Sequence, residues 1–417
     1  MRDSPSAVSF LPGELHSGEA RALVLRFLDR DVRSDPYPLL NAIRESGPLW
    51  MREDVLVLSS HASCEAALRA PDAVAVSGGA CPVSAERVRR LVDHGIGADA
   101  VAALVPVVRS VVDERLDSVA DRGRLEAVSD LAYPVPMAVL CHLLGVPAGD
   151  GPWLHRQAMA LAPALDPYPA LLGADEPPGL VEYRQAQTAL DAYFAEAIGE
   201  RRRRAAGDDL LSRLIREPGS GEGLTDADIA SACRDLVGAG YETTAGLVSG
   251  GILALLRAPH EMAALRRDPG HARQLVEEVL RLDPPLQVVQ RRATADLDVC
   301  GIRVPKGTVM VLLLAAAHRD PALGPGPDLF VPGGTRTHLA FGTDPRDCLG
   351  APLARLIAST VLVRFAQRVT GARFATGSPS YRPTTTLRGL RALWVAADGF
   401  TARDLPWGRR SRSARPS

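Results

Sequence analysis

The stretch Phe341-Gly342-Thr343-Asp344-Pro345-Arg346-Asp347-Cys348-Leu349-Gly350-Ala351-Pro352 sets a cysteine between turn-forming residues and the first turn of a helix. The free N–H groups and the positive dipole end of such a helix stabilise a thiolate, which lowers the thiol pKa and suits the sulfur to metal ligation. Gly350 leaves room for a flat group or for close backbone approach. A plain alternative stands beside this reading, because isolated cysteines are commonly buried core residues. The six cysteines (Cys64, Cys81, Cys141, Cys233, Cys300, Cys348) contain no Cys-x-x-Cys pair, which argues against zinc ribbons and disulfide scaffolds.

A second constellation is Ala239-Gly240-Tyr241-Glu242-Thr243-Thr244. Thr243 lies four residues after Ala239. On a helix its hydroxyl can therefore take the Ala239 carbonyl, open the helix locally and make a polar groove. Glu242 beside it is placed to relay protons. Gly238 and Gly240 each cost about 1 kcal/mol relative to alanine in a helix, a penalty expected where something approaches the backbone closely. A tight helix crossing with the same threonine back-bond explains this text equally well. A third pattern, Glu278-Val279-Leu280-Arg281, puts an acid and a base on one helix face. Glu86/Arg89 and Glu200/Arg203 have the same spacing, so only Pro284-Pro285 and the cysteine loop downstream single out Glu278/Arg281.

These residues need helices to carry them. Asp35-Pro36-Tyr37-Pro38 opens a predicted helix that ends before Gly47-Pro48, and two short strands follow at Leu49 to Met51 and Val55 to Leu58. From Ser84 to about Glu278 the pattern is mostly helical, with Ser84 and Thr225 as capping residues and breaks at Gly95-Ile96-Gly97 and Pro147. After Pro284-Pro285 come strand-like runs at Leu297 to Val299 and Thr308 to Leu314, and Leu387 to Val395 reads as a further hairpin. A sheet fed from both ends of the chain argues for one domain, here 1–401, with 402–417 as a basic, disordered tail. The fold class expected is mainly α with a small β region.

The chain has 417 residues, of which 46% are hydrophobic, and this composition excludes disordered and collagen-like classes. Its 48 basic and 49 acidic residues nearly cancel, so no overall field favours nucleic acid. Lys306 is the single lysine. The longest apolar stretch, Val309 to Ala317, is about half a membrane span, and the N-terminus lacks a signal pattern; no membrane partner and a cytoplasmic location are expected.

The cysteine stretch resembles the haem-binding signature of the cytochrome P-450 family, with Phe341, Arg346, Cys348 and Gly350 at the matching positions. The resemblance implies that Cys348 is the proximal thiolate on haem iron, that Arg346 holds a haem propionate and that Phe341 packs beside the sulfur. Asp344 stands where the family usually has glycine. If that position needs a positive φ, aspartate is among the less costly replacements. Ala239, Gly240, Glu242 and Thr243 match the oxygen-activation motif, which makes Glu242 and Thr243 the catalytic candidates and puts Ala239 and Gly240 against the cofactor. Glu278/Arg281 match Glu-x-x-Arg, with Arg336 as a substitute for the third arginine that usually joins them. Arg291 matches an Arg-x-Ala-Thr arginine and Arg89 the arginine of His-x-x-x-Arg, both as propionate ligands; Ala85 replaces that histidine. Asp35-Pro36-Tyr37-Pro38, His318-Arg319-Asp320-Pro321 and Arg388-Gly389-Leu390 extend the resemblance over about 35–395.

What it implies is a single haem-thiolate fold with haem b, acting as a monooxygenase that takes dioxygen and two electrons to hydroxylate or epoxidise a lipophilic small molecule of secondary metabolism. No flavin or nicotinamide fingerprint occurs in the chain, so ferredoxin and ferredoxin reductase are the expected donors to a monomeric enzyme. A non-catalytic haem-thiolate binding or sensor protein is the rival; Ala85 and Asp344 favour it and Glu242-Thr243 opposes it. The ligand pocket is expected among Val76 to Ala80, Leu236 to Thr243, Leu286 to Val289 and Thr385-Thr386. Arg87, Arg90 and Arg355 are expected to steer an acidic partner. Gln157 to Tyr183 corresponds to the segment over that pocket. Its acids, among them Asp166, Asp175 and Glu176, would repel carboxylates if they face the entrance, or are simply solvated.

Overall fold

Val55–Leu58 and Val309–Leu313 are buried at every position, as strands covered on both faces must be. They pair in parallel, Leu56 opposite Met310. Each is extended by an antiparallel neighbour, giving a five-stranded sheet in the order Leu49–Arg52, Val55–Leu58, Val309–Leu313, Val288–Ala293, Ala73–Ala75. The early and late strands thus share one sheet. The computed structural model describes residues 18–76, 96–173, 179–203, 207–216, 224–344, 347–375 and 377–403. Ser84 and the basic tail beyond 403 lie outside these residues.

The late apolar run does not form one hairpin. Leu390–Ala392 pairs with Ser380–Tyr381, whereas Trp394–Ala396 is inserted between Arg124–Glu126 and Arg373–Phe374. The physical reason is Glu126, whose Oε1 accepts the N–H of Leu393 at 2.6 Å and turns the chain from one sheet to the other.

Helices make up most of the rest, so the fold class is mainly α with small sheets, as expected. The longest, Asp226–Arg257, has 32 residues and runs about 48 Å at 1.5 Å per residue. Its start is fixed by a reciprocal capping box: Thr225 Oγ1 accepts the N–H of Asp228 at 3.1 Å, and Asp228 Oδ2 accepts the N–H of Thr225 at 3.0 Å. This long helix packs against Gly151–Leu161, Leu180–Arg203, Ala272–Leu282 and Ala351–Arg368. At Gly251 an added Cβ would lie 2.8 Å from Leu362 Cδ1, so glycine lets the helix approach Ala351–Arg368 without displacing that side chain.

The helix Ala272–Leu282 anchors the chain that leads to the cysteine. Glu278 and Arg281 form a two-pronged ion pair, with Arg281 Nε and Nη2 each donating to a Glu278 oxygen at 2.8 Å. Both side chains are almost completely buried. Burial of charge is tolerable only when the remaining donors and acceptors are satisfied, and here they are. Arg281 also donates to the carbonyls of His318, Pro327 and Leu329, and Glu278 accepts the N–H of Val331 at 2.8 Å. Arg336 does not join the pair as the sequence suggested; it donates to the Pro325 carbonyl on the exposed side. Backbone carbonyls fill the place of a third side chain.

Replacing Arg281 with Met is expected to cost about 3–5 kcal/mol, because Glu278 is left as an uncompensated buried charge. Lysine should recover little of this, since a single ammonium cannot reproduce the fork. Urea unfolding measures the loss, and a change below about 1 kcal/mol would show that the pair is dispensable.

Candidate functional site

The cysteine loop is closed by its own side chains. Gly342 has φ 89°, and a Cβ there would collide with Asp347. The Asp347 carboxylate accepts the N–H groups of Thr343 and Asp344 at 2.7 and 2.9 Å, while its own N–H donates to the Asp344 carbonyl at 2.9 Å. Among the described residues Cys300 is the single non-glycine with positive φ. Asp344 therefore needs no left-handed backbone, and its departure from glycine carries no conformational cost; Gly342 supplies the turn instead.

Cys348 is half-buried, and its carbonyl accepts the N–H of Ala351 at 3.2 Å as the helix Ala351–Arg368 begins. The residue therefore immediately precedes a helix whose first-turn N–H groups and dipole favour an anion. Its surroundings differ from those of the buried cysteines, whose thiols burial pushes up, to about 11 at Cys141 and about 12 at Cys233.

One carboxylate ties both flanks of the loop. Glu277 receives Arg355 Nε and Nη2 at 2.6 and 2.8 Å and His338 Nε2 at 3.1 Å. Arg355 lies over the Phe341 ring at 4.4 Å, and His338 meets the same ring edge-on. Phe341 is thus held between two side chains that Glu277 grips. Burial raises the Glu277 pKa, but the hydrogen bonds and charges of Arg355 and His338 outweigh it and bring the carboxyl down to about 2. Sequence reasoning missed Glu277, masked by the Glu278 of the recognised motif beside it. Arg355, expected to steer a partner, is paired with Glu277 on a partly exposed face.

On the long helix the predicted back-bond is present: Thr243 Oγ1 donates to the Ala239 carbonyl at 2.8 Å, and Thr244 Oγ1 repeats the pattern to Gly240 at 2.6 Å. The helix is not opened by it and continues unbroken from Asp226 to Arg257. Ala239 is exposed and Leu236, Gly240 and Thr243 are half-exposed, although Val237 and Tyr241 between them are buried. An open stripe therefore runs along the middle of a core helix. The two glycines separate here. A Cβ at Gly238 would meet Leu161 Cδ1 at 3.0 Å, a close helix approach, whereas one at Gly240 meets nothing within 4 Å.

Glu242 faces a different flank. It is buried, paired with Arg382, and lines a small cavity with Tyr133, Gly246 and Ser249. Burial raises its carboxyl above the ordinary value. Arg291 sits half-buried in mid-strand, opposite Ala75 and Met310, with Nη1 donating to the Gln290 carbonyl at 3.1 Å. Arg346, Arg89, Ala85, Arg87 and Arg90 lie outside the described residues, as do Asp175 and Glu176.

Around the expected ligand pocket, the hydroxyls of Thr385 and Thr386 are engaged. Arg33 Nη2 donates to Thr385 Oγ1 at 2.8 Å, and Thr386 Oγ1 donates to the Leu165 carbonyl at 2.9 Å. Asp166 is turned inward to accept the Thr386 N–H at 2.8 Å. It is not a freely solvated loop charge; it fastens the segment before Tyr168–Leu172 to the turn at 384–387.

A flat cofactor with its own metal fits these residues. Gly240 and Gly350 both face open space that a Cβ would enter without contact, Ala239 is uncovered amid buried neighbours, and a thiol lies at a helix start. Among the described residues no group of three or more His, Cys, Asp or Glu side chains could hold a metal ion.

Comparison with known proteins agrees. The cytochrome P450 family model matches residues 158–370. The "Biotin biosynthesis cytochrome P450" of Bacillus subtilis is 33% identical over 310 residues, which are 74% of this chain and 76% of that protein. The "6-deoxyerythronolide B hydroxylase" of Saccharopolyspora erythraea is 32% identical over 322 residues, 76% of this chain and 77% of that one. The crystal structure of ligand-free Mycobacterium smegmatis CYP164A2 superposes with a TM-score of 0.85 at 40% identity, covering 90% of this chain and 100% of that one.

Replacing Arg355 with Gln releases Glu277 from its main partner. The Glu277 pKa is lowered on folding from 4.5, so its stabilisation is complete above about pH 4.5 and is lost as pH falls toward about 2. With allowance for solvent screening at this partly exposed site, the variant should lose roughly 1–2 kcal/mol at pH 7. The difference from the native chain should shrink as pH is lowered below 4.5, and urea unfolding across that range gives the comparison.

Proposed function

Because the chain belongs to the cytochrome P450 family and is a monooxygenase of that family, we propose that it uses haem b, held by Cys348, to hydroxylate or epoxidise a lipophilic small molecule of bacterial secondary metabolism. When bound, the haem iron supplies the reduction of dioxygen and the transfer of one oxygen atom to the substrate. The observation that carries the reading is the combination of a half-buried thiol at a helix start with the uncovered stripe Ala239, Gly240, Thr243 on the long helix. A relative named "6-deoxyerythronolide B hydroxylase" supports hydroxylation as the reaction.

In this reading Cys348 holds the iron as a thiolate, kept ionised by the start of the helix Ala351–Arg368. Phe341, clasped by Arg355 and His338, keeps the loop that carries the sulfur from shifting. Arg346, Arg89 and Arg291 take the two propionates, for which planar guanidinium forks are the matching donors. Ala239, Gly240 and Gly350 contribute absent side chains, so that a planar ring can lie against backbone. The Thr243 hydroxyl, held by the Ala239 carbonyl, would present its oxygen to the open stripe as a hydrogen-bond partner for a ligand there, and Glu242, on the adjoining flank, would be the acid that resupplies protons to it.

Ferredoxin and ferredoxin reductase are the proposed electron donors to a monomeric, cytoplasmic enzyme whose single domain spans 1–401. No helix among the described residues is long and apolar enough to cross a membrane.

Cys348→Ser should abolish product formation with surrogate ferredoxin and reductase even where haem is retained, because a neutral hydroxyl donates far less charge to iron. Turnover persisting in this variant contradicts the assignment. Thr243→Ala should bind haem and ligand normally but divert most reducing equivalents to peroxide. Unchanged coupling of NADPH to product would mean that another group delivers the proton.

A further inference from the structure

Glu242 and Thr243 are neighbours on the long helix, yet they face different surroundings. The Thr243 hydroxyl lies on the half-exposed stripe. The Glu242 carboxyl is sequestered on the adjoining flank, only 6% exposed. Its partner comes from far along the chain: Arg382, 140 residues away, pairs with Oε1. The other oxygen, Oε2, is buried without a hydrogen-bond partner beside a cavity of about 10 Å³, the size of one water.

Arg382 is itself held on several sides. Its N–H donates to the Gly389 carbonyl at 3.0 Å, which fixes it at the base of the hairpin that carries the turn at 384–387. Its Nη1 donates to Tyr133 Oη at 2.6 Å and lies 3.4 Å from Met159 Sδ of the helix Gly151–Leu161. Tyr133 packs against His155 and Tyr241, and His155 Nδ1 and Tyr241 Oη are 2.7 Å apart. A guanidinium with this many fixed neighbours cannot swing away without moving the hairpin or that helix.

The charged and titratable groups around Glu242 are therefore Arg382 from the hairpin, Arg388 from the same hairpin, which lines the same cavity but is paired with Asp283, Tyr133 at the head of Pro134–Leu144, Tyr241 on its own helix, His155 of Gly151–Leu161 behind Arg382, and Asp166 at longer range. Burial pushes the Glu242 carboxyl up, Asp166 adds to this, and Arg382 opposes it. Arg382 is the one cation in direct contact.

We propose that Arg382 is the positioning residue for Glu242: it fixes the carboxyl on the flank adjoining that of Thr243 and sets the pH at which that carboxyl can carry a proton. The inference rests on the reading of Glu242 as the acid that reloads Thr243. In the pair, the Arg382 charge opposes the burial that raises the Glu242 carboxyl. Without Arg382 the carboxyl would stay protonated to higher pH and lose its fixed orientation.

The test follows the infrared carbonyl band of the neutral Glu242 carboxyl in the holoenzyme, identified by its disappearance in Glu242→Gln. In Arg382→Gln the band should persist to a pH at least one unit higher than in the native chain, a tenfold gain in proton affinity. Arg382→Lys should lie close to native, because the positive charge is retained. In turnover with surrogate redox partners, Arg382→Gln should lower kcat about tenfold with KM nearly unchanged. An unshifted Glu242 band in a folded Arg382→Gln protein overturns the proposal, as does equal loss in the Lys and Gln variants. The infrared arm requires no turnover, so a shifted band in a protein that oxidises no substrate would count against the monooxygenase reading and not against Arg382.

Discussion

Two adjacent acids on one helix, Glu277 and Glu278, hold the chain on both sides of Cys348. Glu278 acts inward: with Arg281 it gathers the carbonyls of His318, Pro327 and Leu329 and the N–H of Val331, and so fixes the path of the chain before the loop. Glu277 acts on the loop itself, joining His338 ahead of the cysteine to Arg355 beyond it and closing both over Phe341. A thiolate must sit in one place to ligate a metal, and a loop held only by turns would not keep it there. The buried pair is costly in desolvation and becomes tolerable because nearly every donor and acceptor it brings inside is used.

The long helix carries the second group of expected site residues. Its close approach to Ala351–Arg368 at Gly251 sets the spacing of the two helices, while Ala239, Gly240 and Thr243 are left uncovered nearer its middle. Contact and opening are thus distributed along one rod by side-chain size: glycine where a neighbour must come near, small residues where a ligand must. The back-bond of Thr243 leaves the helix intact, so the polar character of the groove comes from the hydroxyl alone.

What the sequence made legible was local. The Thr243 back-bond and the Glu278–Arg281 pair follow from spacings of four and three on a helix, and the Cys348 loop is a contiguous string. The sheet fed from both chain ends was legible from strand patterns at Val55 to Leu58 and Thr308 to Leu314. What escaped depended on distant partners. Glu277 meets residues 61 and 78 positions away, Arg382 reaches Glu242 across 140, and Asp166 finds the Thr386 N–H across 220. No periodicity marks such contacts. The expectation that Asp166 was simply a solvated charge failed for this reason, as did that of Arg336 as a third arginine, where main-chain carbonyls, which every sequence has, took the role. Asp344 raised a question of backbone strain that Gly342, two positions earlier, had already answered.

The central claim is that Cys348 presents a thiolate to haem iron, and the reduced carbon-monoxide spectrum of the purified full-length holoprotein addresses it most directly. The expected result is a strongly red-shifted Soret band in the native chain, replaced by the unshifted band of a nitrogen-ligated haem in Cys348→His. An unshifted band in freshly prepared native protein, or a red-shifted band that survives in Cys348→His, would contradict it.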